Sequence, residues 1–83
     1  MKEIRFSNHA ELKIQILASH EVTIELETIT DTVRYPDKLE IIEENKIIAQ
    51  KRLDENSVLR VVYREFSAFI LIITLYSGKL LCI

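Results

Sequence analysis

The 83-residue chain has one glycine, one proline, one cysteine and no tryptophan. Each scarcity excludes something. A lone Cys82 permits no internal disulfide framework and no cysteine-built zinc site. With one Gly and one Pro there is no flexible linker, no repeat and no glycine-rich phosphate loop. Long apolar runs are missing too: the longest, Ala68 to Tyr76, is too short for the ~20 residues of a membrane helix. No charged-then-apolar leader reads at the N-terminus. These absences predict a single cytoplasmic domain over residues 1–83. An apolar fraction of 48% with mixed charge is the composition of a globular chain. At this size one core supplies only roughly 3–5 kcal/mol, so oligomerisation or a bound partner would help.

What is present is an uneven distribution of charge. Residues 1–45 hold five Lys/Arg and ten Asp/Glu, a net of −5; residues 46–83 hold six and three, a net of +3. A pI near 5.6 argues against broad, sequence-blind binding to nucleic acid. A local basic patch is still compatible with one phosphate-rich site. Five of the cations, Lys46, Lys51, Arg52, Arg60 and Arg64, fall on segments that read as strands, which present alternate side chains to opposite faces.

Residues 2–6 alternate and predict a short strand. Ser7 or Asn8 then offers a helix N-cap, and Asn8 with Glu11 resembles a capping box. Leu12, Ile16 and Leu17, with Ile14 beside them, predict the apolar side of a helix over about 8–19. Residues 21–35 fit two patterns equally. Val22, Leu26, Ile29 and Val33 follow a helical stripe, while Val22, Ile24, Leu26, Thr28, Thr30 and Thr32 alternate as in a strand. Tyr35-Pro36-Asp37 ends the element either way. Residues 38–43, 46–53, 58–65 and 69–76 read as four strands, with turns at Glu44-Asn45, Asp54–Ser57 and Phe66–Ala68. Connections this short force antiparallel pairing. Residues 69–75 are apolar on both faces and belong inside the sheet. The tail Lys79–Ile83 is apolar enough to dock on the domain or on a second chain, which predicts a homodimer or a complex with a partner protein that covers Leu80, Leu81 and Ile83.

A register follows from the turns. A tight turn centred on Glu55-Asn56 places Lys51 opposite Arg60 and Ala49 opposite Val62. A three-residue turn after residue 65 places Arg60 opposite Thr74 and Val58 opposite Tyr76. Residues opposite each other share a face. One face then carries Lys51, Arg60, Arg64, Thr74 and Tyr76, and the other Leu59, Val61, Tyr63, Leu71, Ile73 and Leu75. A two-residue turn or a bulge would flip the last strand.

Cations on a rigid sheet can clamp phosphate and stabilise charge that develops on it. A nearby tyrosine or histidine can move a proton. The set suits RNA cleavage by attack of a 2′-hydroxyl on the adjacent phosphate, with no metal and no cofactor. Charges on an outer sheet face ordinarily do no more than solvate it. Against that stands the Lys51–Arg60 juxtaposition, because like charges opposite each other are unfavourable without an anion. His9, in the first helical turn, is a second proton-moving candidate, although a histidine there more often packs beside the cap. His20 has no partner in sequence, and the two histidines do not match metal-ligand spacing.

Several short motifs occur in a recognisable order. They are Phe6-Ser7-Asn8-His9-Ala10-Glu11, Tyr35-Pro36-Asp37, Ile48-Ala49-Gln50-Lys51-Arg52-Leu53, Leu59-Arg60-Val61-Val62-Tyr63 and Ile72-Ile73-Thr74-Leu75-Tyr76. Over about residues 4–77 the chain resembles an uncharacterised prokaryotic family with an F-S-x-H-A start, an L-R-V-V-Y strand and an I-T-x-Y end, related to the RelE/ParE toxin fold and the BrnT-like toxins. The resemblance implies that 21–35 is helical. It implies an α+β fold in the order β-α-α-β-β-β-β, an antiparallel sheet with two helices packed on one face. It also implies the toxin of a type II toxin–antitoxin pair, a metal-independent ribonuclease that cuts messenger RNA on the ribosome and is held by an antitoxin. His9, Lys51, Arg60 and Tyr76 would be catalytic, and Arg52 and Arg64 would hold RNA phosphate. The chain departs from the pattern at Lys13, where relatives carry arginine, and after Tyr76, where Ser77-Gly78-Lys79 and an apolar tail replace further basic residues. The alternative is a non-catalytic protein-interaction module of the same fold.

Overall fold

The computed structural model of the protein describes residues 2–19 and 24–79. The order is β1 (Glu3–Phe6), α1 (Asn8–Ser19), α2 (Leu26–Arg34), β2 (Lys38–Glu43), β3 (Lys46–Arg52), β4 (Ser57–Glu65) and β5 (Phe69–Lys79). The five strands form one sheet in the order β1-β5-β4-β3-β2. β2 to β5 are an antiparallel meander, as the short turns require. β1 pairs with β5 in parallel, so the sheet is mixed and not wholly antiparallel. The two helices between β1 and β2 carry the chain across the sheet, and that crossover makes the parallel pair possible. Among the described residues no helix is long and apolar enough to cross a membrane. His20 and the tail Leu80–Ile83 lie outside the described residues, and so does the expected docking of that tail.

Both helices cover the same face. α1 lies over β5 and β1, and α2 over β3 and β4. The core joins Ala10, Ile24, Ile29 and Val33 to Ala49, Leu59, Val61, Tyr63, Ile72 and Leu75. α1 enters it with Ala10, Ile14 and Leu17, at spacings of four and three. Leu12 and Ile16, expected on the buried side, point outward. The helix that was undecided by pattern begins at Leu26, which is itself exposed, and buries Ile29, Thr32 and Val33. Thr32 tolerates full burial because its hydroxyl donates to the Thr28 carbonyl at 2.8 Å.

The cap of α1 also joins helix to sheet. The Ser7 hydroxyl, not the Asn8–Glu11 pair, takes the cap position and accepts from the Ala10 N–H at 3.1 Å. The same hydroxyl donates to the Ile73 carbonyl of β5 at 2.8 Å. Ile73 is the extra residue of a bulge, because Val62 pairs with Thr74 but Tyr63 pairs with Ile72. Ser7 thereby satisfies a carbonyl that the irregular ladder would leave without a regular partner.

The observed register corrects the expected pairings on both sides of β4. Gln50, not Lys51, stands opposite Arg60, and Lys51 stands opposite Leu59 on the helix-covered face. The cause is the β3–β4 turn, which ends one residue earlier than expected, so that Ser57 begins β4. The Leu53 N–H donates to the Ser57 carbonyl at 2.9 Å, which leaves Asp54, Glu55 and Asn56 as the loop. Asp54 folds over it, accepting from the Asn56 N–H at 2.8 Å. That bond, then one from the Ser57 side chain, holds the Asp54 carboxyl below its ordinary pKa. On β5, Arg60 faces Tyr76, not Thr74, and the bulge places Ile72 and Leu75 in the core. Leu71, expected in the core, pairs with Arg64 on the opposite face.

Candidate functional site on the open face of the sheet

No described helix covers the second face of the sheet. By register, β4 presents Val58, Arg60, Val62 and Arg64 there, β5 presents Thr74 and Tyr76, and β3 presents Gln50 and Ile48. Arg60 is central. Its side chain is 30% exposed, and its guanidinium crosses β3 to reach Glu40 on β2, Nη2 to Oε2 at 3.0 Å. On the other side its guanidinium carbon lies 5.7 Å from the centroid of the Tyr76 ring, within the range of a cation–π contact. Between these partners the Arg60 Nε is buried and donates to nothing. Among the described residues it is the one buried side-chain polar atom without a hydrogen-bond partner. A buried donor left unpaired costs about 1–3 kcal/mol, so an acceptor reaching this point would be favoured.

The irregularities of the sheet build this cluster. A plain two-residue turn at Glu44-Asn45 would place Glu40 opposite Ala49, on the helix-covered face. The register slips between Ile41 and Glu43, and Glu40 faces Ile48 instead. Extending the pairing at Glu65–Ile70 without the Ile73 bulge would place Tyr76 on the helix side. With the bulge it stands directly opposite Arg60. Glu40 and Gln50 carry no signal in sequence that marks them as neighbours of Arg60, since each depends on a residue gained or lost at a turn.

The other expected site residues separate. Lys51 extends its Nζ to the Tyr35 carbonyl at 2.9 Å and caps the C-terminus of α2, where a cation is favoured. Arg52 shares the open face by register, but its guanidinium clasps its own turn, donating to the Asp54 and Glu55 carbonyls at 3.0 Å each. Arg64 lies four residues along β4 from Arg60, roughly 13 Å away. It donates to the Asn45 side chain at 2.8 Å, and Glu43 lies 3.9 Å from its Nη2. His9 is exposed on α1, on the helix side of the sheet, and does not join the cluster. A hollow of about 360 Å³ lined by Phe6, Glu11, Ile14, Gln15 and Leu26 also lies on the helix side, without basic residues.

The arrangement can hold an anion against Arg60, with a carboxylate and a phenol at hand and an aromatic face for stacking. Among the described residues no three His, Cys, Asp or Glu side chains come together as metal ligands would. Comparison of the chain with family models, curated proteins and solved structures finds no match.

Proposed function

We propose that the open face binds single-stranded RNA and cleaves it, as the toxin of a type II toxin–antitoxin pair would do in the cytoplasm under the control of an antitoxin. The observation that carries this reading is the Glu40–Arg60–Tyr76 cluster on a face that no described helix covers. The α+β order β-α-α-β-β-β-β agrees with the fold implied by the resemblance to RelE/ParE toxins. In this reading Arg60 holds the scissile phosphate and stabilises charge on the pentacoordinate phosphorus. The Glu40 carboxylate takes the proton of the attacking 2′-hydroxyl. Tyr76 gives its proton to the departing 5′-oxygen as the P–O5′ bond breaks, leaving a 2′,3′-cyclic phosphate and a 5′-hydroxyl. Arg64 and Arg52 extend the contact to neighbouring phosphates. Lys51 is engaged at the end of α2 and His9 stands on the helix side, so neither takes part in the step.

The test is cleavage of messenger RNA by the purified chain, with and without ribosomes and with a metal chelator present. Arg60→Ala should slow cleavage about 100- to 1,000-fold, by analogy with loss of an oxyanion-stabilising donor. Glu40→Gln should slow it by about 100-fold or more, as loss of a general base does. Equal cleavage by wild type and Arg60→Ala, or none by the wild type, refutes the nuclease reading. The second reading is a non-catalytic protein-interaction module. It is favoured by the separation of Lys51 and His9 from Arg60, and by the ion pair that already occupies one edge of the Arg60 guanidinium.

A further inference from the structure

We propose that two copies of this chain join edge to edge through β2, about a two-fold axis centred on Leu39, to form one continuous sheet. β2 closes the sheet at one end, and among the described residues nothing pairs with its outer side. All six of its residues are exposed. Leu39 and Ile41 point toward the helix side, where α2 packs on β3 and β4, and they remain 53% and 73% exposed. The opposite edge is differently built. β1 is four residues long, and charges surround it: Lys2 pairs with Glu65 at 2.7 Å, and the Arg5 guanidinium stacks 4.3 Å from the Phe69 ring centroid. A long edge with apolar side chains on one face is a template for another strand unless charge or cover blunts it.

The charges on β2 name the occupant. In antiparallel pairing about a two-fold axis, residues opposite each other share a face. Centring the axis on Glu40 sets Glu40 against its own copy, which is repulsive. Centring it on Ile41 sets Leu39 against Glu43 and lies on the slip in register at Ile42. Centring it on Leu39 sets Leu39 against Leu39 on the helix side and Lys38 of each copy against Glu40 of the other on the open side. Ile41 then lies diagonal to Leu39 of the other copy. The edge is therefore complementary in charge to itself in one register. The pairing also bears on the cluster described above, a consequence that rests on the RNA-cleaving reading. Lys38 of one copy meets the Glu40 that holds Arg60 of the other, competes for its carboxylate and loosens Arg60 for an incoming phosphate. The two open faces lie on the same side of the joined sheet.

Light scattering or sedimentation of the full chain over a concentration series tests this without RNA, so its failure is separate from failure of the nuclease reading. The mass should rise from 9.7 kDa toward twice that value. Lys38→Glu and Glu40→Lys should each weaken the dimer by about tenfold or more, since two attractive pairs become repulsive. An equimolar mixture of these two variants should restore dimers, as should the doubly exchanged chain. Leu39→Arg should give monomers with an unchanged circular dichroism spectrum. A wild type that stays monomeric at all concentrations overturns the proposal. So do single charge variants that dimerise as the wild type does, or a mixture that fails to recover.

Discussion

Leu59 and Arg60 are adjacent in β4 and belong to two different surfaces. The face of Leu59 is closed. Leu59, Val61, Ile72 and Leu75 are fully buried, and two helices press on them with Ala10, Ile29 and Val33. The face of Arg60 is open, and its side chains are fixed by a few polar contacts across strands: Arg60 to Glu40, and Arg64 to Asn45. Many small dispersion contacts fix the closed face redundantly. The open face depends on which residues the register sets opposite one another. A one-residue bulge decides which side chains of a strand join Arg60 and which enter the core.

The largest effect should come from the closed face. Leu59→Ala leaves a cavity and should cost about 2–4 kcal/mol in a denaturant melt. Arg60→Ala, one residue away, should change stability by no more than about 0.5 kcal/mol. Equal losses would mean that the open face is structural, and the contrast would fail. Ser7→Ala should fall between, at about 1–2 kcal/mol, because it removes the α1 cap and leaves the bulged Ile73 carbonyl without its donor. It sharpens the comparison further. If Ser7 holds the bulge that turns Tyr76 toward Arg60, amide and ring resonances of Tyr76 should shift in Ser7→Ala more than those of Leu59, and Ser7→Thr should restore them.

The smallest effect is one of pH. Burial, and secondarily the Glu65 carboxylate, raise the Tyr63 phenol above its ordinary pKa of 10.0. The folded state therefore favours the neutral phenol. The stability that comes with this is complete below pH 10.0 and is lost as pH rises through the higher folded value. Tyr63→Phe should flatten the alkaline limb of a plot of stability against pH and leave the neutral region nearly unchanged. An alkaline limb unchanged by that substitution would place the titrating group elsewhere.

Much of the fold was legible in residue order. The period-two stretches 38–43, 46–53, 58–65 and 69–76 became β2 to β5 with ends displaced by at most three residues, and the 8–19 helix lies where its pattern placed it. The interior position of β5 followed from its apolar run. Segment 21–35 was undecided by pattern because alternating threonines and a helical stripe of aliphatics coexist there. α2 takes only its second part, where Ile29 and Val33 find the surface of β3 and β4. The parallel β1–β5 pair was missed, since the short turns spoke only for the meander.

The sequence by itself determined where β2 to β5 and α1 lie, where the turns between them fall and that Arg60 stands on the face opposite Leu59. All of these rest on local periodicity, on proline and turn chemistry, and on which side chains water will not accept. Only the tertiary structure decided which side chains share the open face with Arg60. One residue fewer in the Asp54 loop sent Lys51 to the end of α2. The slip at Ile42 brought Glu40 across, and the bulge at Ile73 brought Tyr76. Side chains alternate with a period of two, so a single residue gained or lost at a turn reverses a whole strand. At β5 the bulged Ile73 is held by Ser7 from a distant part of the chain, a contact that no local pattern records.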